Sequence, residues 1–267
     1  MTTIIQNENA TIDGLKCNVF ATERPEVLLI QPSARHENKN DGINREIETL
    51  ATNATKGFAI AFLDTVEWAK ALMPWHDEAV SRDDEVGRHA QDTLKYITES
   101  LVPWLHERFG QLPCMIGGYS LGGLFALWAA RQSTAFSAVA AASPSLWIKG
   151  WADYADQNSL NAQLAYVSLG DREEHCRNQR MARIGDCVRH EHLTLAGQIG
   201  TTATTLEWNN GGHFGEEAER TAKAFAWCIE NINKAGRKPN KHIAQGSVLG
   251  VQIDKSKTPC KCKSIDN

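Results

Sequence analysis

The stretch Cys114-Met115-Ile116-Gly117-Gly118-Tyr119-Ser120-Leu121-Gly122-Gly123-Leu124-Phe125 decides the fold. A short apolar run passes through glycines into Leu121–Gln132, which is apolar nearly all round, as a helix buried against a sheet would be. A serine at such a strand-to-helix bend is the Gly-x-Ser-x-Gly pattern of a nucleophile elbow. The tight turn is expected to hold Ser120 in a strained backbone conformation with its hydroxyl exposed above the strand ends. Gly118 and Gly122 carry no Cβ, so strand and helix can approach closely. The start of the helix offers unpaired N–H groups and the positive end of its dipole beside that hydroxyl. Leu121 N–H is placed as one donor to an oxyanion. Two other glycine loops are excluded. A phosphate loop needs Lys then Ser or Thr after its last glycine, where Leu124-Phe125 stands, and no frame gives the dinucleotide fingerprint Gly-x-Gly-x-x-Gly. The bland alternative, a Gly-rich turn, is weaker because the flanking context fits the elbow.

Working outward, five apolar runs read as strands: Val27–Ile30, Phe58–Leu63, Cys114–Gly118, Ala138–Ala142 and Leu164–Leu169. Leu15–Ala21 and Ala203–Trp208 are weaker candidates. Most are apolar on consecutive positions, which suits central strands covered on both faces. Helices are expected from about Ile43 to Thr55 after Asp41, from Asp83-Asp84 to Phe109 with a kink or break at Pro103, and over Leu121–Gln132, Met181–Ala196 and Glu216–Asn233. Strand alternating with helix points to an α/β class with a mostly parallel central sheet and helices on both faces. A domain over 1–233 is expected, followed by a basic C-terminal extension over 234–267 in which no periodicity persists and poor order is expected.

Counts narrow the function. The chain has 267 residues, 42 % of them apolar, which excludes disorder, collagen and coiled coil for the whole. No apolar run reaches the roughly 18 residues of a membrane helix. The start lacks a basic region and a long apolar segment, so no secretory signal is read and the cytoplasm is the expected location. A net charge of −4 gives no reason to expect a nucleic-acid partner. The eight Lys/Arg and two Asp beyond residue 233 read as a solvated tail. Seven scattered Cys argue against a disulfide framework, and Cys260-Lys261-Cys262 lacks the second pair or histidine that a zinc site needs, so no metal is expected.

A serine needs a base, and the base an orienting carboxylate. Of nine histidines, His213 stands in the glycine-flanked loop Asn209-Asn210-Gly211-Gly212-His213-Phe214-Gly215 directly after an expected strand, where a late catalytic histidine belongs. His36 follows an early strand and could line the site, whereas His190-Glu191-His192 reads as solvated helix surface. Leu164–Leu169 runs into Gly170-Asp171-Arg172-Glu173-Glu174. Asp171, Glu173 and Glu174 compete for the acid; Glu173 is preferred because the Gly-x-x-acid spacing lets the loop turn back over the sheet edge. Ser33 N–H, or that of Ala34, is the choice for a second oxyanion donor. Trp68, Trp75, Trp147 and Trp151 are placed in loops after strands, with Trp68 and Trp147 as substrate-binding candidates; plain packing is the alternative. Arg177 and Arg180 either hold an anionic group or lie in solvent.

With these residues in place, the chain resembles the esterase branch of the α/β-hydrolase superfamily, which includes esterase-D-like enzymes, siderophore-ester hydrolases and mycolyltransferases. The likeness rests on Gly117–Ala126, on Ala141-Ala142-Ser143-Pro144-Ser145-Leu146-Trp147, on Ser168-Leu169-Gly170-Asp171-Arg172-Glu173-Glu174 and on Gly211-Gly212-His213-Phe214. It spans roughly Val27 to Ile232. The resemblance implies Ser120 as nucleophile, His213 as base, an acid in the 171–174 loop, and neither metal nor organic cofactor. Residues 143–163 leave little room for a large lid. The expected activity is that of a serine esterase on a small-molecule ester through an acyl-enzyme; the alternatives are an acyltransferase with the same triad, or a catalytically silent binding module.

Overall fold

Strands that are apolar at every position have two faces to hide, and the protein hides both. The computed structural model describes residues 3–34, 39–65 and 67–235. The chain forms β1 (Ile4–Ile12), β2 (Leu15–Thr22), β3 (Val27–Ala34), α1 (Lys39–Asn53), β4 (Phe58–Thr65), α2 (Trp68–Leu72), α3 (Ala90–Tyr96), α4 (Val102–Phe109), β5 (Cys114–Tyr119), α5 (Leu121–Gln132), β6 (Ala138–Ala142), α6 (Trp151–Gln157), β7 (Leu164–Gly170), α7 (Ile184–Ile199), β8 (Thr204–Asn209) and α8 (Glu217–Ala235). The strands make one sheet in the order β1-β2-β4-β3-β5-β6-β7-β8. Pairing is parallel from β4 through β8 and antiparallel where β2 joins β1 and β4. Alternate residues of each central strand feed two cores. Leu28, Ile30, Ile116, Val139 and Val167 pack with α3 to α7. Leu29, Ile60, Met115, Ala140 and Tyr166 pack with α1 and α8. The connection from β6 to β7 carries α6 alone. Among the described residues, no helix is long and apolar enough to cross a membrane.

Two expectations need correction, one strand was not anticipated, and the break expected near Pro103 takes a particular form. Strand β1 was not anticipated, because it is an edge strand that is largely polar and, up to the buried Ile12, half-buried or exposed in alternation. Its signal was the hairpin turn: Asp13-Gly14 joins Ile12 to its partner Leu15 with φ of 44° and 86°, the two left-handed residues of a type I′ turn. The helix expected from residue 83 begins only at Ala90. Asp83 spends its Oδ1 on the Glu85 N–H and Gly87 takes φ 93°, so residues 83–87 turn instead of winding. Before Pro103, which lacks an N–H, the helix widens into a π-turn at Ile97–Leu101 and continues as α4. Finally, Glu191 is not on a solvated surface. It is completely buried and accepts from Arg131 of α5 at 2.7 Å and from Trp151 Nε1 at 3.0 Å. His36, Cys260 and Cys262 and the basic end beyond residue 235 lie outside the described residues.

Candidate active site

Ser120 is the bend between β5 and α5, with φ 56° and ψ −116°. A non-glycine residue in that region is strained, and it persists only where its surroundings over-determine it. They do so here. A Cβ on Gly118 would stand 3.0 Å from the Gly122 backbone, and one on Gly122 would stand 3.3 Å from the Trp68 ring. Any larger side chain at either position would push the strand, the helix and that indole apart by a few tenths of an ångström. Ser120 N–H donates to Ala142 C=O at 3.1 Å, and its own carbonyl accepts from Leu124 and Ser145.

Two loops from the far half of the chain meet the Ser120 hydroxyl. After β8, the 210–215 loop brings His213 Nε2 to 3.1 Å from Ser120 Oγ. After β7, a short turn brings Glu173 Oε2 to 2.6 Å from His213 Nδ1. Glu173 is buried at 7 % exposure. Burial alone would raise its pKa, but bonds from His213, the Gly170 N–H (2.7 Å) and Ser143 Oγ (2.7 Å) outweigh it and hold the carboxyl below its usual range. An ionised carboxylate only accepts, so Nδ1 carries the imidazole proton. Nε2 is then the acceptor for the Ser120 O–H. The rival acids are engaged elsewhere: Asp171 Oδ1 accepts from the Gly211 N–H at 2.8 Å, and both Glu174 oxygens accept from Arg189 at 3.0 Å.

Four residues that were not assigned a role complete the arrangement. Ser143, at φ 42°, supports Glu173. Ser145 Oγ lies 3.1 Å from Ser120 Oγ. Tyr119 O–H donates to the His213 carbonyl at 2.6 Å, and burial pushes its pKa up to about 12. Arg220, its side chain 3 % exposed, donates to Gly212 C=O (2.8 Å), Asn210 C=O (2.9 Å) and Glu173 Oε1 (3.3 Å), tying the histidine loop to the acid. The signal for Arg220 was a charge on the face of α8 that otherwise carries Thr221, Ala224 and Phe225 inward.

The expected oxyanion donors fare differently. Leu121 opens α5, where its N–H has no partner within the helix. Ser33 lies in strand β3, paired with Asp64, and not in a loop. Leu28 N–H donates to Pro113 C=O on the β5 side, while Ser33 C=O accepts from Thr65 Oγ1 on the β4 side, each at 2.9 Å. A residue in a strand points its N–H and C=O the same way, so Ser33 turns toward β4 and Ala34 toward the β5 side.

Of the tryptophans, Trp68 opens α2 with its ring on Gly122 instead of standing in a loop. Trp147 is half-buried under the Arg180 guanidinium, 5.8 Å from its ring centroid. Trp75 is half-buried and stacks on Trp151, which is buried at the start of α6 and unavailable to a substrate. Arg180 is paired with the buried Asp77, so it is not a free anion-holding group; Arg177 is exposed. Among the described residues, no three His, Cys, Asp or Glu gather as metal ligands.

The family described as "Putative esterase" matches residues 22–234. No curated protein sequence matches the chain. Similar solved structures include the siderophore hydrolase EstB from Aspergillus nidulans, at TM-score 0.61 and 18 % identity over 84 % of this chain and 93 % of that one. An IroE-like serine hydrolase from Shewanella oneidensis aligns at TM-score 0.66 and 12 % identity over 85 % and 81 %. At such identities the likeness is one of fold.

Proposed function

The chain belongs to the Putative esterase family of α/β-hydrolase-fold carboxylic ester hydrolases, and from that premise we propose that it cleaves a small-molecule ester through an acyl-enzyme on Ser120. His213 Nε2 takes the hydroxyl proton as Ser120 Oγ attacks the ester carbonyl, then gives it to the departing alcohol. Glu173 holds the imidazole in the tautomer this requires. Leu121 N–H and Ala34 N–H receive the oxyanion; two such donors lower the barrier by roughly 3 kcal/mol each. Water, deprotonated by the same imidazole, attacks the acyl carbon, and the C–Oγ bond breaks to release the acid.

The observation that carries this reading is the unbroken chain from Ser120 Oγ to His213 Nε2 at 3.1 Å and from His213 Nδ1 to Glu173 Oε2 at 2.6 Å. Wild-type protein is expected to turn over short p-nitrophenyl esters and to be labelled by a fluorophosphonate probe. Ser120→Ala should lose labelling entirely and turnover by about 10⁴-fold or more, with its circular dichroism unchanged. Labelling that persists in Ser120→Ala, or a wild-type protein that never labels, would remove Ser120 from the mechanism.

A further inference from the structure

The Ser143-Pro144-Ser145 turn after β6 touches the site through both of its serines, and of the two hydroxyl contacts only that of Ser143 with Glu173 has an obvious purpose. Ser145 is 4 % exposed, and among the described residues its hydroxyl has a single hydrogen-bond partner, Ser120 Oγ at 3.1 Å. Its N–H also donates to the Ser120 carbonyl at 3.2 Å, which fixes it against the elbow. Proton counting gives that contact a direction. The His213 Nδ1 proton faces an ionised carboxylate, so Nε2 accepts, and the one hydrogen of the Ser120 hydroxyl goes to it. Ser145 is left as the donor.

On the reading that Ser120 is the nucleophile, we propose that Ser145 is a further catalytic residue, whose O–H donates to Ser120 Oγ when that oxygen carries charge. In acylation, the Oγ–H bond breaks toward His213 while the C–Oγ bond forms; a donor already aimed at Oγ strengthens the outgoing O–H donation and stabilises the partial negative charge. In deacylation, the C–Oγ bond breaks, its electron pair returns to Oγ, and the His213 Nε2 proton follows; Ser145 meets that charge in the same way. Position separates this donor from the oxyanion hole. Ser145 comes from the loop after β6, whereas Ala34 ends β3, and β5 with Ser120 lies between them.

The test compares Ser145→Ala and Ser145→Thr with wild type and Ser120→Ala. For Ser145→Ala, kcat on p-nitrophenyl acetate is expected to fall about 10- to 100-fold with KM within about twofold, the signature of a contact made in the transition state. Both the fluorophosphonate inactivation rate and the deacylation rate after the acyl burst should fall with it, and Ser145→Thr, which keeps the hydroxyl, should recover part of each. Wild-type rates in a folded Ser145→Ala, with Ser120→Ala inert, would overturn the role of Ser145 and leave the esterase reading standing. Losses confined to KM, or equal in the Ala and Thr variants, would also overturn it. Labelling of Ser120→Ala would instead sink the parent reading.

Discussion

Arg220 shows how much of this site depends on residues that never meet a substrate. Its guanidinium binds two carbonyls of the loop that carries His213 and one oxygen of Glu173, so it ties the positions of His213 and Glu173 to each other. Arg220→Met removes those bonds and leaves Glu173 buried with its remaining donors. We expect kcat to fall about 10- to 100-fold with little change in KM, because an ångström of misplacement at a reacting group costs that order of rate. Arg220→Lys should recover only a fraction, since an ammonium cannot span carbonyls and carboxylate as a planar fork does. Steady-state kinetics of the two variants decides it; equal activity in Met, Lys and wild type would mean the loop holds itself. Ser120 and His213 were legible in the sequence because glycines cluster where a backbone must bend or approach. Glu173 was only preferred over its neighbours, as three acids in four residues differ in which way the loop turns them. Arg220 and the serines at 143 and 145 look ordinary in sequence; their meaning is who they touch.

Helix α5, which begins directly after Ser120, is anchored at its other end by a charge pair. Arg131 and Glu191 have side chains with no exposed surface and meet at 2.7 Å, with Trp151 of α6 as a third partner. A buried pair contributes little relative to a well-packed apolar replacement, but an orphaned buried charge is costly. Glu191→Ala should therefore destabilise the protein by about 3–5 kcal/mol, lowering Tm by about 10 °C for a domain of this size. The double variant Arg131→Met/Glu191→Leu should regain most of that loss. Thermal melts of the two variants check both statements. A double variant no more stable than the single would show that the charges themselves hold α5, α6 and α7 together. Sequence periodicity found α5 and α7 within a few residues of their ends, but read Glu191 as surface because a helix face that meets another helix through ions looks the same as one that meets water.

Across the whole molecule, the face of the sheet opposite α5 holds a second ionisable group in an unusual state. Glu46 of α1 is buried against β3 and accepts from Gln31 Nε2 at 3.1 Å; Glu219 of α8, bridged to Arg45, is the other charge facing it. Burial first, with Glu219 adding to it, raises its pKa from 4.5 to about 8, against the Gln31 bond. Among the described residues, neither Gln31 Oε1 nor Glu46 Oε1 has a hydrogen-bond partner. A carboxyl protonated more tightly in the folded than in the unfolded chain stabilises the fold fully below pH 4.5, and that contribution is lost as pH rises through about 8. Tm should accordingly decline between pH 5 and pH 9, by about 2–4 °C for each kcal/mol lost, and Glu46→Gln should flatten the decline. Parallel slopes in variant and wild type would refute it. What the sequence determined by itself was local: apolar runs that must be covered on both faces, a glycine-lined bend that can hold a serine at positive φ, and a histidine on a free loop after the last strand. Each follows from sterics or solvent exposure within a dozen residues. What only the tertiary structure decided was pairing across the chain: which of three carboxylates reaches His213, that Ser33 turns its backbone toward β4 and Ala34 toward the β5 side, and which polar residues are sealed inside. Those depend on strand order and parity, set by how strands and helices from the whole domain pack together, and no short window of sequence contains them.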